Sequence, residues 1–121
     1  MQGQRKVLIV DDDESLRYLL CAGLRLKGWI PEAVGDFGSA LVAVKAGFDV
    51  VLLDPGLPDS LPIQTIENLG RLKIGDGKLY IITGAAIDQT FNDLCIRYGA
   101  TGVMSKNARG FLAGLIEVFG P

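Results

Sequence analysis

The chain has 121 residues, 49% of them hydrophobic and 21% charged, which fits one packed domain and excludes a disordered chain. It contains no histidine, which removes Ser-His-Asp and Cys-His catalysis, histidine-ligated zinc and any role as the histidine member of a phosphorelay. A formal net charge of −2 supplies no basic field to attract nucleic acid or an anionic membrane, so direct binding to either is not expected.

The polar start, Met1 to Lys6, enters a short branched run with no signal-peptide pattern, and no apolar stretch approaches the roughly 20 residues of a membrane span. The expected compartment is the cytoplasm. Val7–Val10 reads as the first strand, and Leu16, Leu19, Leu20 and Leu24 form the apolar stripe of a helix. Asp13 or Ser15 is its expected cap, and Gly28 its stop. Trp29–Val34 is the second strand and valine-rich Ala40–Ala46 a weaker helix. Val50–Leu53 follows as the third strand, then a helix over Ile63–Leu72 that is interrupted or ends near Gly70. After a Gly75-Asp76-Gly77 turn come a strand at Leu79–Ile82 and a helix striped by Phe91, Leu94, Cys95 and Tyr98, stopped at Gly99. Gly102–Met104 is the last strand, and Phe111, Leu112, Leu115 and Phe119 mark the last helix. Cys21 and Cys95 both fall in helical patterns far apart, as expected of reduced, buried thiols.

Strands such as Val7-Leu8-Ile9-Val10 carry no polar alternation, the mark of a sheet covered on both faces. The order βαβαβαβαβα therefore predicts an α/β, doubly wound parallel domain with right-handed crossovers. No linker or repeat divides residues 1–121, so one domain is expected, with no output domain attached.

Ligands of open parallel sheets bind beyond the carboxyl ends of the strands. Asp11, Asp12, Asp13 and Glu14 follow the first strand, Gly35-Asp36 the second, Asp54 the third, Thr83-Gly84 the fourth and Ser105-Lys106 the fifth. Singly, each could be a helix cap or a solvated side chain; together, on one edge, they form a constellation that packing alone does not require. Carboxylates drawn together repel unless a cation neutralises them, and an oxygen-only set suits a hard divalent ion, naturally Mg²⁺. Such an ion, with Lys106 and the Thr83 hydroxyl, could hold phosphoryl oxygens while Asp54 attacks phosphorus in line.

These residues resemble the receiver domain of response regulators in two-component signalling. The resemblance runs through Val7-Leu8-Ile9-Val10-Asp11-Asp12-Asp13, Val51-Leu52-Leu53-Asp54 with Leu57-Pro58-Asp59, Ile81-Ile82-Thr83-Gly84, and Gly99-Ala100-Thr101-Gly102 leading to Lys106. It implies a flavodoxin-like (βα)₅ three-layer sandwich with strand order 2-1-3-4-5. It also implies that Asp54 receives a phosphoryl group from a sensor kinase histidine, a histidine phosphotransfer protein or a small phosphodonor. Asp12 would ligate Mg²⁺ directly and Asp11 through water, joined by Asp54 and the Gly56 carbonyl; Thr83 would be the switch hydroxyl and Lys106 the phosphate-pairing cation. Such a domain is a signalling element rather than a turnover enzyme, acting through protein contact or onward phosphotransfer, with an output surface from about Ile87 to Phe119.

The sequence departs from the family pattern in three places. Val103 stands where the family usually has Tyr or Phe, so the usual ring rotation cannot report phosphorylation. Asn107 replaces the proline that usually follows the lysine. The loop Leu57-Pro58-Asp59-Ser60-Leu61-Pro62 lacks a common glycine, and Pro62 stiffens the entry to the third helix. Small residues at Gly56 and Ala85 leave room for water, which implies a short-lived phosphate.

Two rival readings exist. A receiver-like interaction module would keep the fold without phosphorylation. A haloacid-dehalogenase-type phosphatase would use Asp11 as nucleophile and Asp13 as acid/base, but it leaves Asp54 idle and lacks an acidic pair after Lys106. Gly75-Asp76-Gly77-Lys78 imitates a phosphate loop without its upstream glycine or the following Ser/Thr, and reads as a turn.

Overall fold

The computed structural model describes residues 5–68, 77–107 and 109–119. Five strands, β1 (Lys6–Val10), β2 (Ile30–Val34), β3 (Val50–Leu53), β4 (Lys78–Thr83) and β5 (Gly102–Ser105), form one parallel sheet in the order 2-1-3-4-5. Between and after them lie α1 (Glu14–Leu26), α2 (Phe37–Ala43), α3 (Pro62–Glu67), α4 (Gln89–Arg97) and α5 (Phe111–Phe119). Among the described residues no helix is long and apolar enough to cross a membrane.

Strand periodicity sorts the apolar runs into two cores. Leu8 and Val10, Val51 and Leu53, and Leu79 and Ile81 point to one face of the sheet, where they pack with Phe37, Ala40 and Val44 of the α2 segment and Cys95 of α4. Val7 and Ile9, Val50 and Leu52, and Ile82 point to the other, against Leu20, Cys21 and Leu24 of α1 and Leu115 of α5. Unbroken apolar runs are thus what a strand with helices on both sides requires. Both cysteines are buried and free, one in each core, as their helical positions suggested.

Side-chain and glycine caps fix the helix ends. Asp13, Asp36 and Asp88 each accept a backbone N–H three residues ahead, at the starts of α1, α2 and α4. α1 and α4 stop at Gly28 and Gly99 in left-handed conformation, φ 88° and 107°, which is strained for other residues. The N–H of Trp29 returns to the Leu24 carbonyl and that of Ala100 to Cys95, each at 3.0 Å, completing Schellman closures. Trp29 is therefore part of the α1 terminus, and β2 begins one residue later than its apolar pattern suggests.

α2 likewise begins at Phe37, drawn forward by the Asp36 cap, and its valine-rich end tightens into a 3₁₀ turn at Val44–Ala46. α3 starts on Pro62, where a missing N–H costs no helical bond. The rest of the helix expected to Leu72, the Gly75-Asp76 part of the turn and the Phe119 side chain lie outside the described set.

Leu8 is fully buried whereas Leu26 is 89% exposed. Leu8→Ala is expected to lower the unfolding free energy by about 2–5 kcal/mol. Leu26→Ala should change it by less than about 0.5 kcal/mol. Paired urea titrations measure both, and equal losses would contradict this core assignment.

Candidate functional site

The strand ladders continue one residue past the strands, and those extra residues carry the polar groups. Asp11 N–H donates to the Val34 carbonyl at 3.1 Å, Asp54 N–H to Val10 at 2.8 Å, and Lys106 N–H to Thr83 at 2.7 Å. The sheet itself therefore fixes the main chain of all three side chains at its carboxyl edge. Arg17 of α1 adds a second hold on Asp11, donating from Nη1 to its carbonyl oxygen at 2.7 Å.

Lys106 joins two carboxylates. Its ammonium donates to Asp11 Oδ2 at 2.7 Å and to Asp54 Oδ2 in a short ion pair. The other oxygen of each carboxylate rests on the main chain: Asp11 Oδ1 accepts from Asp13 N–H at 2.9 Å, and Asp54 Oδ1 from Gly56 N–H at 2.8 Å. Each buried carboxylate thus has one neutral donor and one half-share of a cation, which satisfies it without neutralising the pair.

Burial pushes the Asp11 carboxyl above the usual aspartate range, and the Asp54 charge adds to this, against the pull of Lys106 and the Asp13 amide. For Lys106, burial alone would favour the neutral amine. The hydrogen bonds and charges of Asp11 and Asp54 together outweigh it and hold the ammonium above the ordinary lysine value.

Asp12, exposed beside them, completes a group of three carboxylates whose oxygens lie within 4.8 Å of one another. Three carboxylates against one ammonium leave negative charge to be balanced, and the donor set is all oxygen. Both properties fit a hard divalent cation. Gly56 borders this group closely: a Cβ there would stand 3.3 Å from Asp54 Oδ1. Thr83 is buried at the end of β4, but its hydroxyl accepts from Ala85 N–H at 3.1 Å rather than meeting the carboxylates.

Known proteins add a direct comparison. The family model described as the response regulator receiver domain matches residues 7–112. The chain belongs to that family. The receiver shares 30% identity over 112 residues with regulatory protein VirG of Agrobacterium tumefaciens, covering 90% of this chain and 41% of VirG. It shares 34% over 68 residues with the phosphate regulon transcriptional regulatory protein PhoB of Escherichia coli, 55% of this chain and 30% of that protein. The chain therefore spans less than half the length of these relatives.

The fold also matches a receiver domain protein from Methanospirillum hungatei, with TM-score 0.82 and 24% identity over 97% of this chain and 91% of that one. A response regulator from Burkholderia pseudomallei, solved with a phosphorylated aspartic acid, calcium ion and citrate, matches with TM-score 0.76 and 21% identity over 98% and 76%. The flavodoxin-like expectation thus holds. The phosphatase reading lapses, since the family match takes in Asp54 and Lys106, the parts it left idle or incomplete.

Three contacts of this receiver escape sequence reasoning. Arg17 on Asp11 is one. Asp59 is another: its carboxylate oxygens accept from Phe37 N–H at 2.8 Å and Gly38 N–H at 2.9 Å, tying the loop after Asp54 to the start of α2. Asn107 is the third, with Nδ2 donating to the Gly84 carbonyl at 2.6 Å. The spacing Leu57-Pro58-Asp59 marked a loop, but nothing in it indicated which helix the aspartate would reach.

The Phe37 and Gly38 amides hold the Asp59 carboxyl below the usual aspartate range. A lowered folded-state value means that the clasp stabilises fully above the unfolded pKa of about 4 and loses that effect as pH falls through the folded value. Asp59→Asn should therefore lower the urea midpoint at pH 7, and the gap to wild type should close as pH drops below about 4. A gap independent of pH would contradict the charged clasp.

Proposed function

We propose that Asp54 is the phosphoacceptor of this receiver. The phosphoryl group would come from a phosphohistidine of a sensor kinase or a histidine phosphotransfer protein, or from a small phosphodonor, in the cytoplasm. The observation that carries this reading is the Lys106 ammonium held on both Asp11 and Asp54, beside a third carboxylate at Asp12. A protein of the same fold carries a phosphorylated aspartic acid and a calcium ion, chemistry that this acidic group is proposed to share.

Asp11, Asp12, Asp54 and the carbonyl of Gly56 would hold Mg²⁺. When bound, the ion withdraws charge from phosphoryl oxygens and relieves the repulsion among the carboxylates. In the transfer, a carboxylate oxygen of Asp54 forms the new P–O bond as the P–N bond to the donor histidine breaks. The imidazole keeps the bonding electron pair and takes up a proton. Lys106 is already oriented toward Asp54, so its ammonium can follow charge onto the phosphoryl oxygens without a large rearrangement.

Thr83 would give up its contact with Ala85 N–H to donate its hydroxyl to the same oxygens. The added charge of about −1.5 to −2 supplies the attraction for that move. Gly56 and Ala85 present no bulk to shield phosphorus from water, which supports a short-lived phosphoryl group. Signalling then proceeds by contact with a downstream protein or by onward phosphotransfer.

Beryllofluoride, a phosphoryl mimic, tests the reading. With Mg²⁺ present, wild type should show saturable amide shifts around Asp54, Thr83 and Lys106, and Asp54→Ala should show none. Absence of binding in wild type would overturn the phosphoacceptor assignment and leave an interaction module that acts unmodified.

A further inference from the structure

Among the described residues β5 pairs only with β4, at the edge of the sheet. Its last register pair is Thr83 with Ser105, and the Lys106 N–H to Thr83 carbonyl bond is the final main-chain tie between the two segments. The lysine must then reach carboxylates that follow β3 and β1, two and three strands away, and strands lie about 4.8 Å apart. A long side chain with several rotors can span part of that distance. It does so reproducibly only if its main chain is held, because each free rotor multiplies the ways it can miss.

Asn107 supplies that hold. Its amide nitrogen donates to the Gly84 carbonyl at 2.6 Å, and its own N–H donates to Ser105 Oγ at 3.2 Å. Lys106 and Asn107 are therefore tied to Thr83 and Gly84 in step, the first tie by main chain and the second by side chain. The side-chain bond acts as one more rung, placed where the regular ladder has ended. A carbonyl accepting at this distance needs a donor, so an aspartate of the same shape cannot replace the asparagine.

We propose that Asn107 is a positioning residue for the phosphoacceptor site: by hooking the Gly84 carbonyl, it holds the Lys106 loop so that the ammonium meets Asp54 and the group bound there. This rests on the reading of Asp54 as phosphoacceptor. The same hook makes the Thr83-Gly84 segment and the lysine loop shift as one unit, a link that requires no aromatic ring at Val103.

The test compares wild type, Asn107→Ala and Asn107→Asp as full chains. Three quantities are read: the Kd for beryllofluoride at saturating Mg²⁺, the Kd for Mg²⁺ alone, and the amide shift of Ala85, which shares a peptide group with the Gly84 carbonyl. Both variants should weaken beryllofluoride about fivefold, or about 1 kcal/mol, the size of one hydrogen bond. They should also move the Ala85 amide, while Mg²⁺ affinity should not fall, because a loosened ammonium competes less for Asp11 and Asp54; retained Mg²⁺ binding establishes that the acidic group remains folded.

Unchanged beryllofluoride affinity in both variants, with wild type binding normally, would overturn the positioning role and leave Asp54 as acceptor. Equal losses of Mg²⁺ and beryllofluoride would also overturn it, by showing a general support of the fold. Failure of wild type to bind beryllofluoride would overturn both readings together.

Discussion

The sharing of one ammonium by two buried aspartates is the constraint on which the site depends. Asp11 has no solvent exposure and Asp54 very little, so their repulsion is weakly screened. Lys106 holds them together despite its own desolvation, and each carboxylate needs a main-chain amide besides. Removing the lysine would leave buried charge without a partner, which is costlier than never having placed it there. The balance is left incomplete by the residue set: the Lys106 ammonium, with the Arg17 guanidinium on the Asp11 carbonyl behind it, faces three carboxylates, so the resting site retains negative charge that a divalent ion can answer.

The sheet makes this arrangement possible by separating tasks along each strand. Residues within the strands alternate between two apolar cores, while the residue just past the end inherits the ladder's rigidity without its burial pattern. Asp11, Asp54 and Lys106 all occupy that position. Their main chains are tied into the same ladder as the core residues, yet their side chains converge over the edge. Strand order matters equally, because β1 and β3 are direct neighbours and their two aspartates meet without any loop having to travel.

Most of the fold was legible from branched apolar runs, and the polar side chains at the carboxyl ends of those runs pointed to the cluster of Asp11, Asp12, Asp54 and Lys106 proposed as the site. Periodicity reports burial on a strand or helix, and it served well for Val7–Val10 and Val50–Leu53, whose neighbours all lie within the sheet. It misplaced Trp29, which is as apolar as a strand residue but is held by the Leu24 carbonyl in the α1 closure. It also started α2 late, since the Asp36 cap acts through hydrogen bonds rather than hydrophobicity. Arg17, Asp59 and Asn107 were beyond its reach for a common reason: each joins a loop or helix to a backbone atom of another segment, and backbone atoms leave no trace in residue identity. Asn107 stood out in the sequence only as a missing proline; its donor function exists because Gly84 happens to offer a carbonyl opposite.

The two bonds of Lys106 span 95 and 52 positions of the chain, to Asp11 and Asp54 respectively. Lys106 thus ties the end of the edge strand to the ends of the two central strands, so the full ionic set exists only where β5 is held in the sheet. Fraying of β5 from β4 would withdraw the ammonium and leave two buried carboxylates facing each other, so the charge balance of the site reports on the integrity of the sheet edge.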